Sequence, residues 1–175
     1  NLSASMSARK VYVAIIAEPL IQVIDMDSNE IIANIETGGG VHNTFVTPDG
    51  RYAVGGMIGA SEIIAIDTET DEVKFEMSIP YSQNPFVGGV RPLTFTVNED
   101  GSTRSMLVNV GGWHGFWEFD WETQELMNKV SPPDGSWERM DQTADGIQSA
   151  PSHGVVVLPD QSQVWHSSRA TSHIY

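Results

Sequence analysis

Cysteine is absent from the 175 residues, which excludes disulfides, thiolate metal sites, iron-sulfur clusters and cysteine nucleophiles within this stretch. Positive charge is scarce: 9 Lys and Arg stand against 23 Asp and Glu, and Lys10, Lys74 and Lys129 are all the lysines there are. Such a surface disfavours direct binding to nucleic acid or to anionic membranes. The same carboxylates keep a β-rich chain soluble, so acidity alone nominates no ion site. Long apolar runs are missing too. Val11–Ala17 is the longest, far short of the roughly 20 residues that span a bilayer, and Asn1–Lys10 has no apolar centre of the signal-peptide kind. The sequon Asn1-Leu2-Ser3 is too short a pattern to place the protein outside a cell.

What is present is an apolar content of 40%, enough for one domain with a real core over 1–175, and a repeat. An apolar pair, an Asp and an acidic turn recur at Val23-Ile24-Asp25-Met26-Asp27, Ala65-Ile66-Asp67-Thr68-Glu69 and Glu118-Phe119-Asp120-Trp121-Glu122. A second signature recurs at Thr47-Pro48-Asp49-Gly50, Asn98-Glu99-Asp100-Gly101 and Leu158-Pro159-Asp160-Gln161. Asp-Gly supplies the positive φ of a hairpin turn, so the third copy, without glycine, is the weakest. Between the turns the chain reads as short strands: Lys10–Ala14, Leu20–Asp25, Ile31–Glu36, Thr44–Thr47, Arg51–Val54, Glu62–Asp67, Val73–Ile79 and Leu93–Val97. Trp121–Val130 is the best helical competitor, yet it aligns with Thr68–Ile79 of the preceding repeat and is predicted to be a turn and a strand.

Four short strands per 40 to 50 residues is the spacing of propeller blades, whose sheets bury their faces against each other around an axis. The wording of the repeats agrees. Lys10-Val11-Tyr12-Val13-Ala14, then Val23-Ile24-Asp25, then Gly40-Val41-His42 running to Pro48-Asp49-Gly50 resembles the YVTN family of propeller repeats, and Pro151–Asp160 looks like another copy. The resemblance implies an all-β fold, a β-propeller of four-stranded antiparallel blades, seven or so when complete and partial here. The units fall at about 10–50, 51–101, 102–161 and 162–175. The chain would open on a second strand and stop at Tyr175 inside a third, as a fragment of about three and a half blades whose open edges need further blades or self-association to cover them. A periplasmic or secreted location follows from the resemblance alone.

One aligned position carries chemistry. His42, Arg91 and His153 each lie six residues ahead of the turn position, at Pro48, Val97 and Pro159, at the entrance to what the resemblance makes the innermost strand. Polar groups that converge on a concave mouth are the usual form of a binding site. Neutral imidazoles suit Zn or Cu, with His42 and His153 as candidate metal ligands, whereas arginine suits a carboxylate or phosphate. The competing reading is a hydrogen bond of each side chain within its own blade. The loops between second and third strands, Gly111–Gly115 and His166–His173, add His114, His166 and Arg169. Of the longer connections, Pro80–Val90 and Ser131–Ser152, the second carries Trp137, Glu138 and Arg139 and is a candidate lid, or a surface loop packed on Trp137.

Phosphate-loop, Gly-x-Ser-x-Gly, His-Glu-x-x-His and EF-hand patterns are absent. The alternation of Trp117, Phe119 and Trp121 fits packing between blades. The sequence therefore points first to a binding or scaffold propeller with its site at the channel mouth. The second reading is an enzyme on that framework, since propellers similar to this one include copper enzymes, quinone-dependent dehydrogenases and lyases; fold does not choose between them. A third is an interaction surface anchored by Trp113 and Trp137.

Overall fold

The computed structural model describes residues 1–58, 60–79, 89–133 and 151–175, all as strands, turns and connections. The chain divides into two units, Asn1–Pro80 and Tyr81–Tyr175. The first unit holds two antiparallel meanders. One is β1 (Leu2–Ser5), β2 (Lys10–Ile15), β3 (Leu20–Asp25) and β4 (Ile31–Glu36); the other is β5 (Val41–Val46), β6 (Tyr52–Met57), β7 (Glu62–Asp67) and β8 (Val73–Ser78). The second unit repeats the plan with β9 (Val90–Val97), β10 (Thr103–Val110), β11 (Phe116–Asp120) and β12 (Leu126–Val130), and then with three strands, β13 (Ser152–Val157), β14 (Val164–Ser168) and β15 (His173–Ile174). Among the described residues no helix is long and apolar enough to cross a membrane.

The turns explain why this sequence makes meanders. Gly50 donates to the Thr47 carbonyl (2.8 Å), Gly101 to Asn98 (3.0 Å) and Gln161 to Leu158 (2.8 Å), with φ of 75°, 86° and 57°. The third copy keeps the left-handed corner although a Gln occupies it, at the steric cost that glycine avoids. The Asp repeat closes the turn before each outer strand. Asp25 Oδ1 accepts from the amides of Asp27 and Ser28, Asp67 from Glu69 and Thr70, and Asp120 from Glu122 and Thr123, the Asx geometry that favours Asp here. Four residues on, Asn29, Asp71 and Gln124 take φ near 60°.

In the first unit one aliphatic cluster, including Tyr12, Ile21, Val23, Val41, Met57, Ile64 and Ile66, fills the space between the sheets. Gly55 is small because a Cβ there would stand 2.9 Å from Ile21 Cδ1 and 3.1 Å from Ile64 Cγ2. In the second unit the buried bulk is aromatic: Trp117, Phe119 and Trp121 are buried, and Phe95 meets Trp121 edge-on at 5.9 Å.

Strands β3, β4 and β7 occupy the residues expected of them, and Trp121–Val130 is a turn followed by a strand. Three expectations are corrected. The chain opens on β1, paired with β2 from Leu2↔Val13 to Ser5↔Lys10, and not on a second strand at Lys10. Leu-Ser-Ala-Ser carries no β-branched residue to announce it; the strand is held by its neighbours, with Ser5 Oγ donating to the Gly50 carbonyl at 2.7 Å. Strands β5 and β9 start three residues earlier than Thr44 and Leu93, because a bulge breaks the alternation there. His166 lies inside β14 and not in the following loop, which is confined to residues 169–172.

Candidate functional site

The bulges decide where the aligned basic residues stand. In the first unit Val41 pairs with Met57 and Asn43 with Gly56, so His42 is the extra residue on β5. In the second, Val90 pairs with Val110 and Leu93 with Val108, placing the extra residue of β9 at Arg91-Pro92. On β13, Ser152 pairs with Ser168 and Gly154 with Ser167, and His153 is extra. A bulge re-aims a side chain out of the alternation of its strand, and β5, β9 and β13, though not β1, carry it at the same step of the repeat. His42 and His153 are half-buried and Arg91 is buried.

Arg91 has company. Burial, and after it the charge of Arg169, lowers its pKa from the ordinary arginine value, although a guanidinium stays charged at any working pH. Arg169 follows β14, and its amide donates to the Pro151 carbonyl at 2.9 Å, one residue before Ser152 and the His153 bulge. The second unit thus gathers Arg91, Arg169 and His153 at the entrance of β9 and β13, two strands that lie side by side.

His114 and His166 belong to a different arrangement. His114 is fully buried, and its Nε2 stands 2.7 Å from Ser168 Oγ. Next to it the Gly115 amide donates to Ser152 Oγ at 2.6 Å, while Asn109 Nδ2 donates to the Gly115 carbonyl at 2.9 Å. These bonds pin the β10–β11 loop to the first two strands of the next sheet. A histidine on a serine hydroxyl is also the geometry of a base with its nucleophile, but Ser168 and His114 are both buried, and neither lines either of the two cavities described below. They act as a structural pin.

His166 is 4% exposed and lines an apolar cavity of about 280 Å³ with Gly115, Phe116, Val130, Pro132, Val164 and Tyr175. The Tyr175 ring stacks on the imidazole with centroids 5.9 Å apart, and His114 meets it edge-on at 5.7 Å. Burial first, and then His114, pushes the His166 pKa down to about 4, so the ring is neutral at pH 7. The first unit has a larger and polar concavity of about 450 Å³ at the other end of its strands, around Lys10, Asp49, Arg51, Asp67 and Glu69. There Lys10 Nζ is already engaged by Asp71 at 2.8 Å and by the Thr68 carbonyl at 2.9 Å.

Among the described residues no three His, Asp or Glu side chains gather in a way that could hold a metal, which gives His42 and His153 no further ligands. Trp137, Glu138 and Arg139 lie outside the described residues. Sequence reasoning missed Ser168 and Tyr175. Ser168 was within reach, since it lies two residues after His166 on the same face of a strand.

No family model matches this chain, and no curated protein matches it in sequence. Solved structures do. The chain superposes on dihydro-heme d1 dehydrogenase NirN in complex with DHE with a TM-score of 0.67 at 16% identity, over 97% of this chain and 32% of that one. It superposes on Kuenenia stuttgartiensis hydrazine synthase with a TM-score of 0.69 at 12% identity, over 99% of this chain and 46% of that one. The chain therefore spans about a third and just under half the length of these structures. Both are β-propeller proteins, and with the antiparallel meanders described above the fold of this chain is an all-β propeller of four-stranded blades, present in part.

Proposed function

We propose that this chain is part of a ligand-binding propeller of about seven blades forming one domain, and that its ligand is a small anion of the carboxylate or phosphate class held at the bulged ends of the inner strands. Arg91 and Arg169 supply the charge and the planar donors; His153 flanks them, and His42 holds the equivalent step in the first unit. The observation that carries the reading is a buried Arg91 at the bulge of β9, beside β13, with the charge of Arg169 acting on it. A chain with formal charge −14 brings two of its few cations close enough for one to weaken the other's hold on its proton. Like charges so placed favour an anion between them.

The test is calorimetric titration with inorganic phosphate and with succinate at low salt. Binding should weaken at least tenfold in Arg91→Gln and in Arg169→Gln. Equal affinity in both variants, or no heat with either probe, overturns the proposal. An enzyme is the second reading, since the two propellers named above carry the names of a dehydrogenase and a synthase and so show what the fold can host. At such identities those names bring the fold alone. A stoichiometric transition metal or a quinone in protein purified without an affinity tag would favour the enzyme.

A further inference from the structure

The cavity beside β14 shares no residue with Arg91 and Arg169, and its chemistry differs. Its walls are the rings of Phe116 and Tyr175, the prolines Pro132 and Pro133, and Val130 and Val164. Its volume of about 280 Å³ falls just short of the roughly 300 Å³ at which drug-sized pockets begin and exceeds the roughly 150 Å³ that suffices for benzene. Into this apolar wall the fold sets one imidazole. His166 is 4% exposed, and its Nε2 is buried without a hydrogen-bond partner. A buried polar atom left in that condition destabilises the fold and calls for an explanation; one hydrogen bond from a ligand would recover the loss.

We propose that this cavity is a binding site for a small, neutral, hydroxyl-bearing aromatic molecule of the phenol class, its ring against Phe116 and Tyr175 and its hydroxyl on His166 Nε2. The neutral imidazole sets no demand for charge, and apolar walls would penalise it. A hydroxyl both donates and accepts, so it satisfies Nε2 in either tautomer of the ring. Planarity is asked for by the stacked geometry already present, in which Tyr175 lies within 19° of parallel to His166.

The experiment is a titration of the protein with phenol, and in parallel with toluene and cyclohexanol, followed through the ring signals of labelled histidine. Phenol should move the His166 signals in a saturable way, with toluene and cyclohexanol each at least tenfold weaker. His166→Phe, followed through the ring signals of His114, should bring phenol down to the level of toluene, whereas Val164→Trp, which fills the space and keeps the imidazole, should abolish both. Toluene binding as well as phenol, phenol binding unchanged in His166→Phe, or His166 signals that never move overturns the assignment. Phosphate binding in these variants stays as in the parent chain if both sites are real, which separates failure here from failure at Arg91 and Arg169.

Discussion

The two units spend the same architecture differently. Each contains two antiparallel sheets whose first strands lie side by side, β1 beside β5 and β9 beside β13. In Asn1–Pro80 aliphatic side chains fill the middle of the space between sheets, where Gly55 gives up its Cβ, and the concavity that remains at the turn ends is lined by charged residues. In Tyr81–Tyr175 that space holds His114, His166, Ser152 and Ser168 with aromatic rings, and leaves a cavity. Repeats of one motif thus enclose an aliphatic core in one unit and an apolar cavity with a buried histidine in the other, and what separates them is the character of a few buried positions rather than topology.

The comparison is broken most forcefully at Gly115. Its φ is 129°, and a Cβ there would sit 1.8 Å from the Val130 carbonyl oxygen; backbone cannot yield as a side chain can. Gly115→Ala should cost about 4 kcal/mol, at the diagnostic end of single substitutions, seen as a lower urea midpoint and faster amide exchange in β11 and β13. An unchanged midpoint would mean that the pin from His114 to Ser168 does not organise this unit.

Acid offers a gentler lever. The folded state holds the His166 pKa near 4, against 6.5 for the ordinary side chain. Between these values the unfolded chain takes up a proton that the folded chain refuses, so this contribution is complete above about pH 6.5 and is lost as pH falls toward 4. It amounts to about 3 kcal/mol. The loss of stability between neutral pH and pH 4 should be smaller by that amount in His166→Phe, and amide exchange in β14 should quicken before that in β7. An identical pH profile in parent and variant would place the acid sensitivity elsewhere.

Gly55→Ala is the smallest of the three. The added methyl meets the movable ends of Ile21 and Ile64 and the Val41 side chain at 3.2 Å, so overpacking should cost about 1–2 kcal/mol. A stabilised variant would show slack in the aliphatic unit and erase the contrast with its neighbour.

Much of this was legible beforehand, for reasons that can be located. Asp25, Asp67 and Asp120 announce their turns because a carboxylate two and three residues ahead of free amides is the chemistry of the turn itself. The six-residue offset of His42, Arg91 and His153 found three bulges, since position in a repeat survives when side-chain identity does not. Strand β1 was illegible because Leu2–Ser5 is shaped by what it pairs with. The cavity was illegible for a similar reason. A void is defined by walls from β11, β12 and β14 and the segments after them, and Val130, Val164 and Tyr175 carry no mark in sequence of lining one space.

The scarcity of lysine acquires a meaning at the rim of the sheets. Two of the three lysines stand on outermost strands, Lys74 on β8 and Lys129 on β12, with their ammonium groups over the rings of Tyr52 at 4.8 Å and Trp117 at 3.9 Å. Every residue of β12 is exposed, Leu126, Met127 and Val130 among them. An open edge of that composition is a template for edge-to-edge growth, and a lysine is the customary guard. Lys10, sealed in its ion pair with Asp71, guards nothing. Acylation of exposed lysines would therefore fall on these two sentries, and should promote edge-to-edge association without touching the core.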